Sequence, residues 1–294
     1  MTNGPDPAFV SGLASLAPRY RALLCDVWGV VHNGVGSYAA AVEALIRYRA
    51  GDGIVLFVTN APRPGSAVIE QLDRLGVDRE AYDDVVTSGE AARGILAARP
   101  GIRVMHVGPA RDLPLYAGLP VELVDEQDCE LVSCTGLFDD ETETPDDYRQ
   151  SFQRWLGRGL PLLCANPDIV VERGDRLIWC AGALAERYRG LGGVVIVVGK
   201  PHAPFYRAVL DRLEEIAGAG IARSSILAIG DGIDTDIRGA IGQDIDAVFV
   251  TGGIHGTVLG DRQAPDLGAV HALLRDAGLG ASALMAHLSW NGRS

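Results

Sequence analysis

The segment that most constrains the fold is a short apolar run that ends in a carboxylate, Leu23-Leu24-Cys25-Asp26. A continuous apolar run bounded by turn residues is typical of a strand buried on both faces, as in a parallel sheet. Gly29 and Gly34 follow, and glycine allows the backbone to turn sharply after the acid. The sequence therefore predicts that Asp26 lies at the carboxyl end of a central strand, where open α/β sheets bind ligands.

Strand-like apolar runs alternate with helix-like segments along much of the chain. This alternation indicates an α/β fold with a parallel sheet. The predicted core strands are residues 21–27, 54–58, 84–87, 194–198, 225–229 and 247–250. The predicted helices are residues 38–49, 64–75, one that begins at residue 88, 204–217, a helix after residue 231, and 261–278.

The middle third of the chain departs from this pattern. Its strand-like runs are residues 102–107, 121–124, 130–134, 162–164 and 177–180, with an acidic loop over 138–147 and a helix over 145–156. We interpret residues 88–189 as a separate α/β domain inserted into a core that is formed by residues 1–87 and 190–294.

Polar side chains follow four of the predicted core strands. They are Asp26, the pair Thr59-Asn60, Lys200, and Asp231, with Asp234 and Asp236 in the next helix. The carboxyl ends of parallel strands lie at one edge of a sheet, so we expect these groups to converge in one crevice. Each group alone has a simpler explanation as a turn residue, a surface charge or a helix cap, and the prediction depends on their occurring together.

The chemistry of this set suits a phosphoryl group. Two carboxylates, a backbone carbonyl and waters form an octahedral oxygen site of the kind that Mg²⁺ prefers. Lys200, Thr59 and Asn60 supply a positive charge and donors that can neutralise and orient the phosphoryl group. Phosphoryl transfer requires mainly positioning and charge compensation.

Composition and charge exclude several classes of protein. The chain has 294 residues and a formal net charge of −12, which argues against a nucleic-acid partner. Its five cysteines are scattered without a C-x-x-C pair, which favours buried reduced thiols in a cytoplasmic protein. No signal peptide is expected from the N-terminal residues, and no apolar stretch approaches the ~20 residues of a membrane span.

The motifs together resemble those of the haloacid dehalogenase (HAD) superfamily, in its NagD-like class IIA branch. The resemblance rests on Asp26-Val27-Trp28-Gly29-Val30, Phe57-Val58-Thr59-Asn60, Val198-Gly199-Lys200-Pro201-His202, Ile229-Gly230-Asp231 through Ile237, and Thr251-Gly252-Gly253-Ile254-His255. It implies a Rossmann-like three-layer core with a parallel sheet, and an inserted α/β cap domain of the kind found in that branch. It also implies an Mg²⁺-dependent phosphatase that acts on small phosphorylated metabolites resembling sugar phosphates.

The resemblance assigns a role to each matching residue. Asp26 is the nucleophile that forms an aspartyl-phosphate, and Thr59, Asn60 and Lys200 hold the phosphoryl group. Asp26, the backbone carbonyl of Trp28, and Asp231 bind Mg²⁺, with Asp236 in support. The segment Ala165-Asn166-Pro167-Asp168 is similar to the start of a cap loop, so Asn166 and Asp168 are assigned to substrate specificity; an Asn-Pro turn is the alternative.

One position departs from the family pattern. Phosphatases of this superfamily usually carry a second Asp two residues after the nucleophile, as general acid and base, and here that residue is Trp28. The metal site needs only the backbone oxygen of this residue, whereas protonation of the leaving group loses its usual donor. His32 is a candidate replacement acid, and a loop histidine without a catalytic role is the alternative.

Two other functions remain open from the sequence. The first is a catalytically weak HAD-like protein that binds a phosphorylated ligand or partner, which Trp28 favours. The second is a dinucleotide-dependent oxidoreductase, because Gly34 to Ala39 fits G-x-G-x-x-A. The acid that would bind the ribose is missing, since Thr59-Asn60 stands at the end of the next strand. A homodimer is compatible with the resemblance.

Overall fold

A computed structural model describes residues 6–292. The first residues of the chain, on which the expectation of no signal peptide partly rests, lie outside this range. The chain divides into two compact units. The first comprises Met1–Thr59, Glu70–Val86 and Tyr206–Ser294, and the second comprises Asn60–Ile69 and Thr87–Phe205.

The regular elements follow the alternation that the sequence predicts. The strands are β1 (Ala8–Phe9), β2 (Ala22–Cys25), β3 (Ile54–Thr59), β4 (Asp84–Thr87), β5 (Arg103–Val107), β6 (Glu122–Leu123), β7 (Leu131–Cys134), β8 (Leu162–Cys164), β9 (Val170–Arg173), β10 (Arg176–Trp179), β11 (Val195–Val197), β12 (Ile226–Gly230), β13 (Asp246–Val250) and β14 (Ala283–Met285). The α-helices are α1 (Ala39–Ala50), α2 (Gly65–Arg74), α3 (Ser88–Ala97), α4 (Arg149–Gly157), α5 (Ala181–Gly190), α6 (Ala203–Ala217), α7 (Arg238–Ile241) and α8 (Leu267–Asp276).

The first unit contains a seven-stranded sheet with the order β1-β14-β13-β12-β2-β3-β4. Strand β2 is buried along its whole length and pairs in parallel with β3 and β12. Cys25, its last residue, lies opposite Phe57 on one side and Ile229 on the other. This register brings the carboxyl ends of the three central strands to the same edge, as predicted for Asp26.

The second unit contains a five-stranded sheet with the order β11-β8-β7-β5-β6, and a hairpin of β9 and β10. One buried cluster includes Phe152, Trp155 and Tyr188, and another includes Leu96, Leu115 and Leu163. These apolar side chains give the unit a core of its own, consistent with an α/β fold built from the middle third of the chain.

One predicted strand belongs to a different sheet. Residues 194–198 are predicted to lie in the core sheet, but β11 pairs in parallel with β8 in the five-stranded sheet of the second unit. That placement was wrong, because an apolar run indicates a buried strand without indicating its partner. The assignment of this unit as a cap stays a prediction.

Several smaller features complete the fold. The five cysteines are buried, as predicted. Four elements are not predicted from the sequence pattern, namely β1, β9, β14 and α5, and α8 is shorter than the terminal helix predicted over residues 261–278. No helix within residues 6–292 combines the length and the apolar character that a membrane span requires.

Candidate active site

Asp26 follows the last residue of β2 and is only 7% exposed. Its backbone N–H donates to the carbonyl of Ile229 at 2.8 Å, which extends the pairing of β2 with β12 by one residue. The carboxylate is therefore carried by a rigid backbone at the end of a central strand. This is the position that the sequence predicts for it.

The turn after Asp26 passes close to Asp231. Gly29 has a φ of +85°, and a Cβ at this position would lie 2.8 Å from Cγ of Asp231 and closer still to Oδ2. Any other residue would collide with that carboxylate in addition to adopting an unfavourable left-handed conformation. Glycine here allows the backbone that follows Trp28 to approach the second acid.

Asp231 follows β12 and is fixed by the segment from Thr251 to His255. Its Oδ2 accepts the backbone N–H of Ile254 at 2.7 Å, and a Cβ at Gly253 would lie 2.6 Å from its Cγ. The family resemblance includes this segment but assigns it no role. The signal that indicates a role is the Gly252-Gly253 pair, separated from the end of β13 by one residue, because adjacent glycines allow close approach to another group.

The third acid, Asp236, lies in a π-helical turn over Ile233–Ile237. Its Oδ2 accepts the backbone N–H of Gly232 at 3.0 Å, and a Cβ at Gly230 would lie 2.6 Å from that same oxygen. The carboxylate therefore turns back toward the end of β12. Asp234 is different, because its side chain is 80% exposed and pairs with Arg238.

Asp26, Asp231 and Asp236 converge, as the sequence predicts. All three are buried, and the three carboxylates offer oxygens that lie within 4.8 Å of one another. Carboxylates held together away from water repel one another unless a cation or protons compensate their charge. An all-oxygen donor set of this kind suits a hard divalent cation such as Mg²⁺.

Trp28 and His32 lie beside this cluster in sequence and pack against each other. Trp28 is half-buried, and its ring meets that of His32 edge-on with centroids 5.0 Å apart. His32 is 2% exposed, and its Nδ1 accepts the backbone N–H of Gly34 at 3.0 Å. Because Nδ1 is an acceptor, the neutral ring carries its proton on Nε2, and protonation of Nδ1 would break the bond to Gly34.

A histidine in the segment that fixes Asp231 adds little positive charge. Burial holds the pKa of His255 below its usual range, although Asp234 opposes this effect. The ring packs against Phe249 with centroids 6.0 Å apart. His255 is therefore neutral near pH 7.

Thr59 is the last residue of β3 in the first unit and is 6% exposed. The next residue, Asn60, is 2% exposed and belongs to the second unit. Its Oδ1 accepts the backbone N–H of Lys200 at 2.8 Å, and its Nδ2 donates to Oδ1 of Asp168 at 2.8 Å. The second unit thus brings together two residues predicted to bind phosphate and one predicted for specificity.

Asn166 and Lys200 are also buried. Asn166 is 9% exposed and its Oδ1 accepts the backbone N–H of Asp168 at 3.0 Å, which is the Asx turn that the alternative interpretation of this segment predicts. Lys200 is 3% exposed. A buried ammonium group is uncommon in proteins and is typical of a binding or catalytic site.

The glycine-rich segment before α1 is arranged differently from a dinucleotide-binding turn. Oδ1 of Asn33 accepts the backbone N–H groups of both Val35 and Gly36, at 3.0 Å each. The amides that would bind a pyrophosphate are thereby occupied within the turn. This geometry does not support the oxidoreductase interpretation.

Comparison with known proteins identifies the family. The model of haloacid dehalogenase-like hydrolases matches residues 23–118, and a HAD-hydrolase-like model matches residues 197–277. A solved haloacid dehalogenase-like hydrolase from Brucella suis 1330 is 47% identical, with a TM-score of 0.85, and the match covers 95% of this chain and 99% of that one. This chain belongs to the haloacid dehalogenase-like hydrolase family.

A sequence relative and a solved structure from Mycobacterium tuberculosis that are similar to this chain are both named as phosphatases. D-glycerol 3-phosphate phosphatase is 30% identical over 253 residues, which are 83% of this chain and 66% of the relative's own length. A glycerol phosphate phosphatase solved in complex with magnesium is 26% identical, with a TM-score of 0.62 and a match over 81% of this chain and 70% of that one. The superfamily and fold predicted from the motifs are confirmed, whereas the roles of individual residues stay predictions.

Proposed function

We propose that the chain is an Mg²⁺-dependent phosphatase that hydrolyses small phosphate monoesters resembling sugar phosphates, through an aspartyl-phosphate on Asp26. The observation that carries the proposal is the buried cluster of Asp26, Asp231 and Asp236, with ligand oxygens within 4.8 Å of one another. Family membership supports it, as do the similar glycerol phosphate phosphatase and its complex with magnesium.

The residues at the cluster fit the metal. Asp26, Asp231 and the backbone carbonyl of Trp28 would hold Mg²⁺, and Asp236 would support them. Bound there, the cation would offset the negative charge of the phosphoryl group and of the acids. The close approach of Gly29 to Asp231 supports this set, because it brings the backbone after Trp28 next to a ligand carboxylate.

The reaction itself would be carried by the side chain of Asp26. Its carboxylate oxygen attacks phosphorus, a P–O bond forms, and the bond to the leaving oxygen breaks. Thr59, Asn60 and Lys200 would hold the oxygens of the transferred group and compensate their charge. Water then hydrolyses the acyl phosphate and regenerates Asp26.

Proton transfer is where this chain would differ from related phosphatases. An alkoxide leaving group needs a proton, and an indole cannot act as an acid or base near neutral pH. With Trp28 in place of the usual acid, turnover of alkyl phosphates would be slow. The same feature favours a second candidate function, a catalytically weak protein that binds a phosphorylated ligand or partner.

A screen of phosphorylated metabolites separates the two functions. The purified protein is assayed for phosphate release with Mg²⁺ and with excess chelator, alongside Asp236→Asn and the exposed control Asp234→Asn. The enzyme interpretation predicts Mg²⁺-dependent release that Asp236→Asn reduces and Asp234→Asn leaves unchanged. Binding of phosphorylated compounds without release would support the second function and contradict the first.

A further inference from the structure

A chain of hydrogen bonds in the second unit holds the side-chain amide of Asn60 at both ends. Its Nδ2 donates to Oδ1 of Asp168, and its Oδ1 accepts the backbone N–H of Lys200, each at 2.8 Å. A backbone N–H can only donate and an ionised carboxylate can only accept. The two partners therefore fix which end of the amide faces which residue.

Asp168 is itself fixed independently of Asn60. Its backbone N–H donates to Oδ1 of Asn166 at 3.0 Å, and its carbonyl accepts the backbone N–H of Gly182 at 3.1 Å. A Cβ at Gly182 would lie 2.5 Å from that carbonyl oxygen, so α5 begins in close contact with this loop. The Asp168 carboxylate thus projects from a rigid loop that the five-stranded sheet and α5 support.

The other end of the amide contacts the backbone before Lys200. Gly199 has a φ of +99°, and a Cβ there would lie 2.5 Å from Oδ1 of Asn60 and 2.8 Å from Oγ of Ser88. Ser88 donates from Oγ to the carbonyl of Ala165 at 2.6 Å. Glycine at this position lets the Asn60 amide reach the Lys200 N–H, which ties the backbone of Lys200 to the orientation of that amide.

We propose that Asp168 is a positioning residue for the phosphoryl-binding pair Asn60 and Lys200, and not a residue that distinguishes substrates. The proposal rests on the proposed function. With one N–H of the amide on Asp168 and the carbonyl on Lys200, the second N–H of Nδ2 is the one presented to an anion. Without Asp168, the amide can rotate, and both that N–H and the Lys200 backbone lose their fixed position.

A positioning role and a specificity role predict different patterns of loss. Every phosphorylated ligand presents the same phosphoryl group. If Asn60 and Lys200 lose their position, the affinity for all these ligands falls by a similar factor. Loss of a specificity residue lowers the affinity by a factor that differs between ligands, because it depends on the group that carries the phosphate. Inorganic phosphate has no such group, so it reports positioning alone.

The first measurement is hydrogen exchange of the Lys200 backbone amide, followed by NMR in the full chain. Asp168→Ala removes the acceptor, whereas Asp168→Asn retains a carbonyl oxygen for the Asn60 amide. Asp175→Ala is the control, because it removes an exposed acid from the turn between β9 and β10. We expect exchange to accelerate about 10-fold or more in Asp168→Ala, to return toward the wild-type rate in Asp168→Asn, and to be unchanged in Asp175→Ala.

The second measurement is ligand affinity in the same variants. With Mg²⁺ present, we expect Asp168→Ala to lower the affinity for inorganic phosphate, for an aryl phosphate and for an alkyl phosphate. The three factors should agree within about threefold. Unchanged exchange at Lys200, or a loss confined to one ester while phosphate binds normally, would overturn the proposal. If the wild-type protein binds no phosphate and releases none, the proposed function fails, and the exchange rates still decide whether Asp168 positions Asn60 and Lys200.

Discussion

The indole of Trp28 meets the imidazole of His32 edge-on, with ring centroids 5.0 Å apart and planes inclined at 70°. This pair occupies the turn that follows Asp26, at the position where the family resemblance implies an acid. The chain therefore combines a cluster of buried carboxylates with an aromatic pair in place of the usual proton donor. The consequences for the rate depend on the leaving group.

We predict that wild-type protein turns over aryl and acyl phosphates faster than alkyl phosphates. A positioned general acid contributes about 10²–10⁴-fold, and a good leaving group departs without one. Trp28→Asp should raise alkyl phosphate hydrolysis and leave aryl phosphate hydrolysis less changed. Steady-state rates across a series of leaving-group pKa values test this, with a steep dependence in the wild type and a shallower one in the variant.

Hydrolysis of an alkyl phosphate at ordinary rates of about 1–10³ s⁻¹ by the wild type would contradict this prediction. Another residue would then supply the proton, and His32→Ala would test the nearest candidate. Because Nδ1 of His32 accepts the Gly34 N–H, the ring would have to give up that bond to become the imidazolium that can donate a proton. Unchanged activity in His32→Ala would eliminate this residue.

Gly29→Ala is predicted to disrupt the acid cluster. The new Cβ would collide with the Asp231 carboxylate, and the φ of +85° adds strain of about 1–2 kcal/mol for a residue other than glycine. We expect weaker Mg²⁺ binding, measured by calorimetry, and a lower unfolding temperature. Gly36→Ala is the matched control, since no atom lies within 4 Å of its added Cβ and its φ is not positive. Equal losses of Mg²⁺ affinity and of unfolding temperature in the two variants would contradict the predicted collision with Asp231.

Acid is predicted to destabilise the protein partly through His106. Burial lowers the pKa of His106 to about 4, below the usual value of about 6.5, and its Nε2 lies 2.9 Å from Oγ1 of Thr135. The neutral ring therefore contributes stability that is fully present above pH ~6.5 and is lost as the pH falls toward 4. In urea unfolding, the difference in the free energy of unfolding between wild type and His106→Gln should narrow as the pH falls. A difference that stays constant with pH would show that His106 does not cause the loss of stability in acid.

The core of the site is predictable because local sequence signals determine it. Apolar runs of four to six residues indicate the central strands, and the residues directly after them, Asp26 and Asp231, need no long-range information to be placed at one sheet edge. The position of Asp236 is predictable because the helical turn after Asp231 carries it. These three converge as the sequence indicates.

The features of the fold and the site that the sequence does not predict depend on contacts between distant segments. The apolar pattern of Val195–Val197 is the same as that of a strand in the core sheet. Its pairing with β8 follows from packing within the second unit. The bond from Asn60 to Asp168 joins residues 108 positions apart, which no local pattern encodes. The Gly252-Gly253 pair indicates a close approach, but only the packing shows that Asp231 is the group approached.

The most direct test of the central claim is a search for phosphate bound covalently to Asp26. The protein is mixed with an aryl phosphate and Mg²⁺, quenched in acid, and analysed by peptide mass spectrometry. We predict a phosphorylated peptide that contains Asp26. It accumulates because its breakdown lacks a base at Trp28, and it is absent from Asp26→Asn. Turnover without that peptide, or wild-type turnover by Asp26→Asn, would contradict Asp26 as the nucleophile.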